Sequence, residues 1–246
     1  MLFAIDAVNG TLYTQNPPNS GTLATPVALG VSASVVGGFD IDGRNNKGYA
    51  VMTVGGARNL YAINLGAASA AASLVAPLAL SEDVKGFALR TPRAPVVYGL
   101  TDRNLRINVD TGAATTDGAI NRAGAAPVVA AGAYTNSFAG TTATMLLVLD
   151  SDSDNLALQN PPNDGTLANI GALGLNLSGD NGMDIAGGAN GLALAALCTA
   201  STGPSRLYRV DLITGAALPI NGAANPALSL IGAGTLNVID IAISLK

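Results

Sequence analysis

The stretch LFAIDAVNGTLYTQNPPNSGTLATPVALG, residues 2–30, returns 144 positions later as LLVLDSDSDNLALQNPPNDGTLANIGALG, residues 146–174. The two align without a gap and share 15 of 29 positions, among them Gln15-Asn16-Pro17-Pro18-Asn19 against Gln159-Asn160-Pro161-Pro162-Asn163. A repeated unit buries its apolar faces by stacking on its neighbours, so the repeat decides the architecture before any motif does.

Further echoes lie outside this pair. Leu60-Tyr61-Ala62-Ile63-Asn64-Leu65 recurs as Leu207-Tyr208-Arg209-Val210-Asp211-Leu212 and as Leu105-Arg106-Ile107-Asn108-Val109-Asp110. The last two are followed by Thr-Gly-Ala-Ala, at 214–217 and 111–114. That pattern is a strand, a tight turn in which glycine supplies positive φ, and a returning strand. Gly38-Phe39-Asp40-Ile41 is matched by Gly182-Met183-Asp184-Ile185, and Val238-Ile239-Asp240-Ile241 follows the same pattern. Gly86-Phe87-Ala88-Leu89 and, more loosely, Gly132-Ala133-Tyr134-Thr135 hold the corresponding place in two other units. No segment keeps a helical period with caps, and the Ala-rich residues 66–80 align as strand and loop.

In order, the echoes give units at about 36–80, 84–120, 127–174 and 178–222, and a fifth that is split. Its first strand falls near 236–243 and its other three near 2–6, 11–15 and 22–28. Four-stranded units of this length are propeller blades. The expected fold is an all-β, five-bladed β-propeller of four-stranded antiparallel blades, one domain over residues 1–246. A C-terminal strand completing the N-terminal blade closes the ring and removes its exposed edges.

Composition narrows the function classes. Charged residues make up 11% of the chain, apolar ones 49% and aromatics 4%, with no Trp. The charged share is less than half of that in an ordinary globular domain. Net charge is −4 with no basic run, which excludes a phosphate-binding nucleic-acid surface. There is no His, which removes the usual zinc sites, Ser-His-Asp and Cys-His nucleophile systems, and haem ligation by His. The single Cys198, in the apolar run LALAALC, forms no intrachain disulfide and reads as core. No apolar run is long enough to span a bilayer. The opening MLFAIDAV carries Asp6 and no basic segment, so it reads as a strand and not as a signal peptide.

The segments NLRINVDTGAATTDGAINRAG (104–124), AAGAYTNSFAGTTATML (130–146), QNPPNDGTL (159–167) and GMDIAGG (182–188) resemble a bacterial family of secreted or surface β-propellers known only as a domain of unknown function. The likeness is close over 84–244. Residues 1–80 resemble that family's last two blades again, so the blade order looks shifted. The resemblance implies the propeller fold and an extracytoplasmic setting, and brings no activity or catalytic residue.

Asp40, Asp184 and Asp240 fall at equivalent places on first strands, which line the channel of a propeller. Three convergent carboxylates can hold a hard cation such as Ca²⁺. They can serve as acid and base in a glycosidase-like site. They can also accept backbone N–H groups of a neighbouring blade and staple the ring. The last reading is favoured, because a glycosidase general acid is commonly a Glu and the only one, Glu82, lies in a turn between blades. Asp150-Ser151-Asp152-Ser153-Asp154-Asn155 begins like a Ca²⁺ loop but has Asn155 and Pro161 where Gly and Glu belong, so a solvated hairpin turn is expected. The Asn-Pro-Pro-Asn elements read as stiff hairpin connections, with an exposed rigid loop for partner recognition as the alternative. Arg90, Arg93, Arg103 and Arg106 read as solvated charges, and Tyr61 and Tyr208 as inter-blade packing.

The expected function is a non-enzymatic binding or structural propeller that presents loops to a protein partner in an extracytoplasmic assembly. A lectin-like carbohydrate binder is the alternative, weakened by the absence of Trp, and a hydrolase using the channel aspartates comes after it. No cofactor is expected, apart from Ca²⁺ if the Asp ring holds a cation.

Overall fold

The computed structural model describes the chain apart from residues 7–9, 16–25, 68–70, 82, 90–95, 100–102, 124–126, 188–190, 200–202, 221–230, 232–235 and 245–246, and, for side chains, also 85, 86 and 96–99. Strands β1 (Leu2–Asp6), β2 (Thr11–Gln15) and β3 (Val27–Ala28) belong to sheet I. Sheet II holds β4 (Ala33–Asp42), β5 (Lys47–Val54), β6 (Ala57–Ile63) and β7 (Ala72–Pro77). Sheet III holds β8 (Val84–Ala88), β9 (Val96–Gly99), β10 (Asn104–Ile107) and β11 (Ala114–Thr116). Sheet IV holds β12 (Val129–Tyr134), β13 (Leu146–Asp150), β14 (Asn155–Gln159) and β15 (Leu167–Ala172). Sheet V holds β16 (Gly182–Ile185), β17 (Ala193–Leu197), β18 (Arg206–Val210) and β19 (Ala217–Pro219). The last strand, β20 (Val238–Ile243), pairs antiparallel with β1, Leu2 opposite Ile243 and Ala4 opposite Ile241, and completes sheet I.

The result is an all-β fold, a β-propeller arrangement of antiparallel four-stranded sheets. Its innermost strands meet in the circular order β20, β4, β8, β12, β16 and back to β20. The Ala-rich residues flanking the β6–β7 connection supply an edge strand, β7, as the alignment of the repeats expects.

Each hydrophobic cluster lies between two neighbouring sheets. Phe3, Ile5 and Leu12 of sheet I pack with Phe39, Met52 and Tyr61 of sheet II. Leu147, Leu149 and Leu156 of sheet IV pack with Met183, Leu197 and Tyr208 of sheet V. Tyr61 and Tyr208 therefore do serve inter-blade packing. Burial from both faces explains why second strands such as Leu146–Asp150 (LLVLD) and Ala193–Leu197 (ALAAL) are buried throughout, without in/out alternation. Cys198 is buried at the end of β17, with Sγ 3.2 Å from the Gly203 carbonyl.

Turns at the outer ends of the third strands latch one sheet to the one before it. In sheet III the Asn108 side chain accepts the Asp110 and Thr111 N–H groups, and Gly112 N–H donates to the Asn108 carbonyl at 2.7 Å. Sheet V repeats this with Asp211, Ile213, Thr214 and Gly215. Gly112, at φ +72°, lies against β7, and a Cβ there would stand 2.3 Å from Ala76 Cβ. Gly55 shares the left-handed backbone (φ +59°) but faces open space, with nothing within 4 Å. Gly112→Ala is therefore expected to cost about 1–3 kcal/mol more than Gly55→Ala in thermal unfolding, the difference isolating the inter-sheet contact from backbone strain. Equal losses would show that the turn does not bear on β7.

Candidate functional site

The three channel aspartates stand at 6%, 7% and 1% exposure for Asp40, Asp184 and Asp240. Each accepts the N–H of the residue after it through one oxygen and a neighbouring sheet's N–H through the other. Asp240 Oδ1 takes Ile241 N at 2.9 Å, and Oδ2 takes Phe39 N at 3.0 Å. Asp40 Oδ1 takes Ile41 N and Oδ2 takes Leu89 N, both at 2.6 Å. Asp184 Oδ1 takes Ile185 N at 2.7 Å, and Oδ2 takes Ile243 N at 2.6 Å. Among the described residues the β20/β4, β4/β8 and β16/β20 junctions are joined in this way. At the β8/β12 junction, Ser137 Oγ donates to the Leu89 carbonyl at 2.6 Å. The glycine that opens the repeated motif is explained by the same crowding: a Cβ on Gly182 would lie 2.4 Å from Asp240 Cα.

Burial sets the electrostatics. It pushes the Asp184 carboxyl up to about 7 against the pull of the Ile243 and Ile185 N–H groups. Asp40 is raised well above the carboxylate range, first by burial and then by the Asp184 charge, with the Leu89 and Ile41 N–H groups opposing. Asp240 is raised well above it too, by burial first, with the Phe39 and Ile241 N–H groups opposing and Asp184 adding. The Asp184 charge thus opposes the ionisation of Asp40 and Asp240, and burial raises all three.

Asp40 and Asp184 line one mouth of the channel, a cavity of about 180 Å³ shared with Asn46, Ser137, Phe138 and Ser244. Asp240 is not among its lining residues. Asn46 holds a left-handed backbone (φ 56°) in the β4–β5 turn and accepts Ser244 Oγ at 2.8 Å. Phe138, 39% exposed, lies in the β12–β13 connection, whose other end carries Met145 at 54% exposure. The sequence reading located the aspartates and missed this rim. Its signal was present, since Phe138 is one of only four Phe and sits among Thr, Asn, Ser and Gly. Among the described residues, no group of three or more His, Cys, Asp or Glu side chains is placed to hold a metal.

The other singled-out residues go elsewhere. In the 150–155 turn a guanidinium meets the acids. Arg122 Nη1 donates to Asp150 Oδ2, to Ser153 Oγ at 2.8 Å and to Asn169 Oδ1 at 3.2 Å. Asp150 Oδ1 takes the Val128 and Asp152 N–H groups, and Asp154 Oδ1 takes Leu177 N at 2.7 Å. Asp150 and Asp152 thus both face Arg122 while Asp154 holds Leu177 N, and the turn is a tethered hairpin connection. Arg106 pairs with Asp117, Nε to Oδ2 at 2.5 Å and Nη2 to Oδ1 at 2.8 Å. Arg90, Arg93 and Glu82 lie outside the described residues. So does the first Asn-Pro-Pro-Asn copy, whereas the second enters a 3₁₀ turn (Pro162–Asp164) that is bonded to residues 118–121 of the β11–β12 connection.

Comparison with known families matches residues 1–88 and 95–231 to the model described as Domain of unknown function (DUF4394). A comparison with curated proteins finds no match. Among solved structures, a chain of a nidogen/laminin complex is similar with a TM-score of 0.56 at 15% identity, over 99% of this chain and 98% of that one. A protein of unknown function from Bacteroides thetaiotaomicron VPI-5482 is similar with a TM-score of 0.54 at 14% identity, over 98% of this chain. The present chain spans 61% of the Bacteroides protein's length. At these identities the likeness is one of fold. Among the described residues, no helix is long and apolar enough to cross a membrane.

Proposed function

This chain belongs to the DUF4394 family, a family of unknown function, and we propose that it is a five-bladed, non-enzymatic binding propeller that engages a protein partner through the rim of its channel in an extracytoplasmic bacterial setting. The observation that carries the reading is the exposure of Phe138 and Met145 on one connection beside the channel mouth. Aromatic and Met side chains exposed within a polar loop are characteristic of interface cores. The carboxylates beneath them support binding over catalysis, because every oxygen of Asp40 and Asp184 already accepts a backbone N–H. The fold is compatible with assembly, since a similar chain forms part of a nidogen/laminin complex.

The experiment is to isolate the protein from its source by crosslinking, identify the bound partner, and measure its affinity for purified variants. Phe138→Ala with Met145→Ala is expected to weaken binding at least ~10-fold, as loss of a hot spot does, with the melting temperature unchanged. Undiminished binding by that variant, together with loss in an Ile213→Ser and Leu218→Ser variant of the outer edge of sheet V, would move the interface off the rim. Ca²⁺ titration of the same protein tests the ring as a cation site. A rise in melting temperature that Asp184→Asn abolishes would assign a cation to Asp40, Asp184 and Asp240, and no rise would leave them as staples.

A further inference from the structure

Where sheets III and IV meet, two buried amides make an unbalanced set. Asn104, at the start of β10, and Gln159, at the end of β14, are both fully buried. Asn104 Nδ2 donates to the Pro162 carbonyl at 2.6 Å and Gln159 Nε2 to the same oxygen at 2.7 Å. Their own oxygens, Asn104 Oδ1 and Gln159 Oε1, accept no hydrogen bond from the described residues. Turning either amide over would set its oxygen against the Pro162 oxygen at under 3 Å, so the orientation is fixed by the carbonyl between them. The surrounding backbone is already engaged: Gly118 N donates to Asn163 O, Asn121 N to Gly165 O and Leu167 N to Asn121 O. Buried acceptors without donors are rare in proteins, and where the protein supplies no donor a bound molecule does.

We propose that this seam holds one buried water molecule, which donates its two hydrogens to Asn104 Oδ1 and Gln159 Oε1 and ties sheet III to sheet IV. The ligand must bring two hydrogen-bond donors, which one water molecule supplies. A cation fits poorly, because the third oxygen at hand, Pro162 O, already receives both amide groups, and the nearby Asp117 carboxylate is held by Arg106. The sequence repeat supplies a second observation of the same kind. Gln15, the counterpart of Gln159 in the first copy, is also buried, and its Oε1 accepts no hydrogen bond from the described residues. The Gln of the Gln-Asn-Pro-Pro-Asn element is thus buried in both copies, which accounts for an identity that a hairpin connection alone does not need.

The test is a crystal structure of the whole protein at about 1.5 Å, where ordered water is placed directly. A single solvent peak at about 2.6–3.2 Å from both oxygens is the expected result. Empty density between them, or both amides rearranged onto protein donors, would overturn the proposal. A peak at metal–oxygen distances, with a melting temperature that rises on adding Na⁺, K⁺ or Ca²⁺, would overturn it too. Gln159→Met keeps the side chain's length and is expected to lose the peak and lower the melting temperature by about 2–4 °C. If that variant fails to fold, oxygen-17 relaxation dispersion on the wild-type protein detects long-lived internal water, and no such signal would count against the site.

Discussion

Replacing Arg122 by Met is expected to lower the melting temperature by roughly 6–20 °C, one of the two largest effects in this protein. The guanidinium is the charge partner of Asp150, whose side chain is 0% exposed. Asp150 Oδ1 accepts two N–H groups, from Val128 and Asp152, and Oδ2 accepts Arg122 Nη1 and Ser153 Oγ. Without the arginine the hydrogen bonds to neutral donors remain, but a buried charge stands uncompensated, at a cost of about 3–5 kcal/mol. The loss is electrostatic, so it can be separated from lost packing. Asp150→Asn in the Arg122→Met background should recover a large part of it, whereas Asp150→Asn alone should destabilise. Additive losses in the double variant would show that the two side chains do not act as a pair. The same pair explains why the 150–155 stretch imitates a Ca²⁺ loop in sequence: Arg122 supplies the positive charge. Arg122 Nη2 also stands 3.7 Å from Asp152 Oδ2.

That partnership marks where the sequence stopped being readable. The strands of the repeated units, the split sheet and the places of Asp40, Asp184 and Asp240 were legible because each is local and recurs. A turn motif such as Asn108-Val109-Asp110-Thr111-Gly112 carries its own hydrogen bonds within five residues, so one copy teaches the next. The partners of the buried acids are not local. Arg122 reaches Asp150 from 28 positions away, in the segment between two sheets, where no period constrains it. Asp240 meets Phe39 N across 201 positions, and only ring closure brings them together.

The site was half legible for a related reason. Repetition picks out what several sheets share, such as the aspartate on three innermost strands and the glycine two positions before it in two of them. It is silent on what one sheet alone carries. The 135–145 connection belongs to sheet IV alone, and its Phe138 gains meaning only from the cavity that four sheets build beneath it. Stapling and binding are separated in the same way. Residues shared among the sheets hold the ring together, and the rim that distinguishes one sheet from the others is where a partner is engaged.

Stability should fall as the pH rises from 5 to 8, the reverse of a protein held mainly by ionised carboxylates. The sign follows from the ring. A carboxyl raised in the folded state binds its proton more tightly there than in the unfolded chain. Its stabilising contribution is complete below the unfolded value and is lost as the pH rises through the folded one. For Asp184 the unfolded value is 3.8 and the folded value about 7. Between pH 5 and the folded value the unfolded chain is already ionised, so about 2 pH units act at ~1.4 kcal/mol each, roughly 3 kcal/mol in all. In this size of chain that is a fall of about 5–10 °C in melting temperature. Asp40 and Asp240 shift in the same direction, so they steepen the fall. Asp184→Asn removes one titrating group while keeping an acceptor for Ile243 N or Ile185 N, and should flatten the profile over this range even though its absolute stability is lower. A wild-type melting temperature that rises from pH 5 to 8, or an Asp184→Asn profile as steep as the wild type, would mean that the ring carboxylates are ionised in the folded protein. They would then be charge-bearing groups at the channel mouth, and the balance would tip from staple toward cation site.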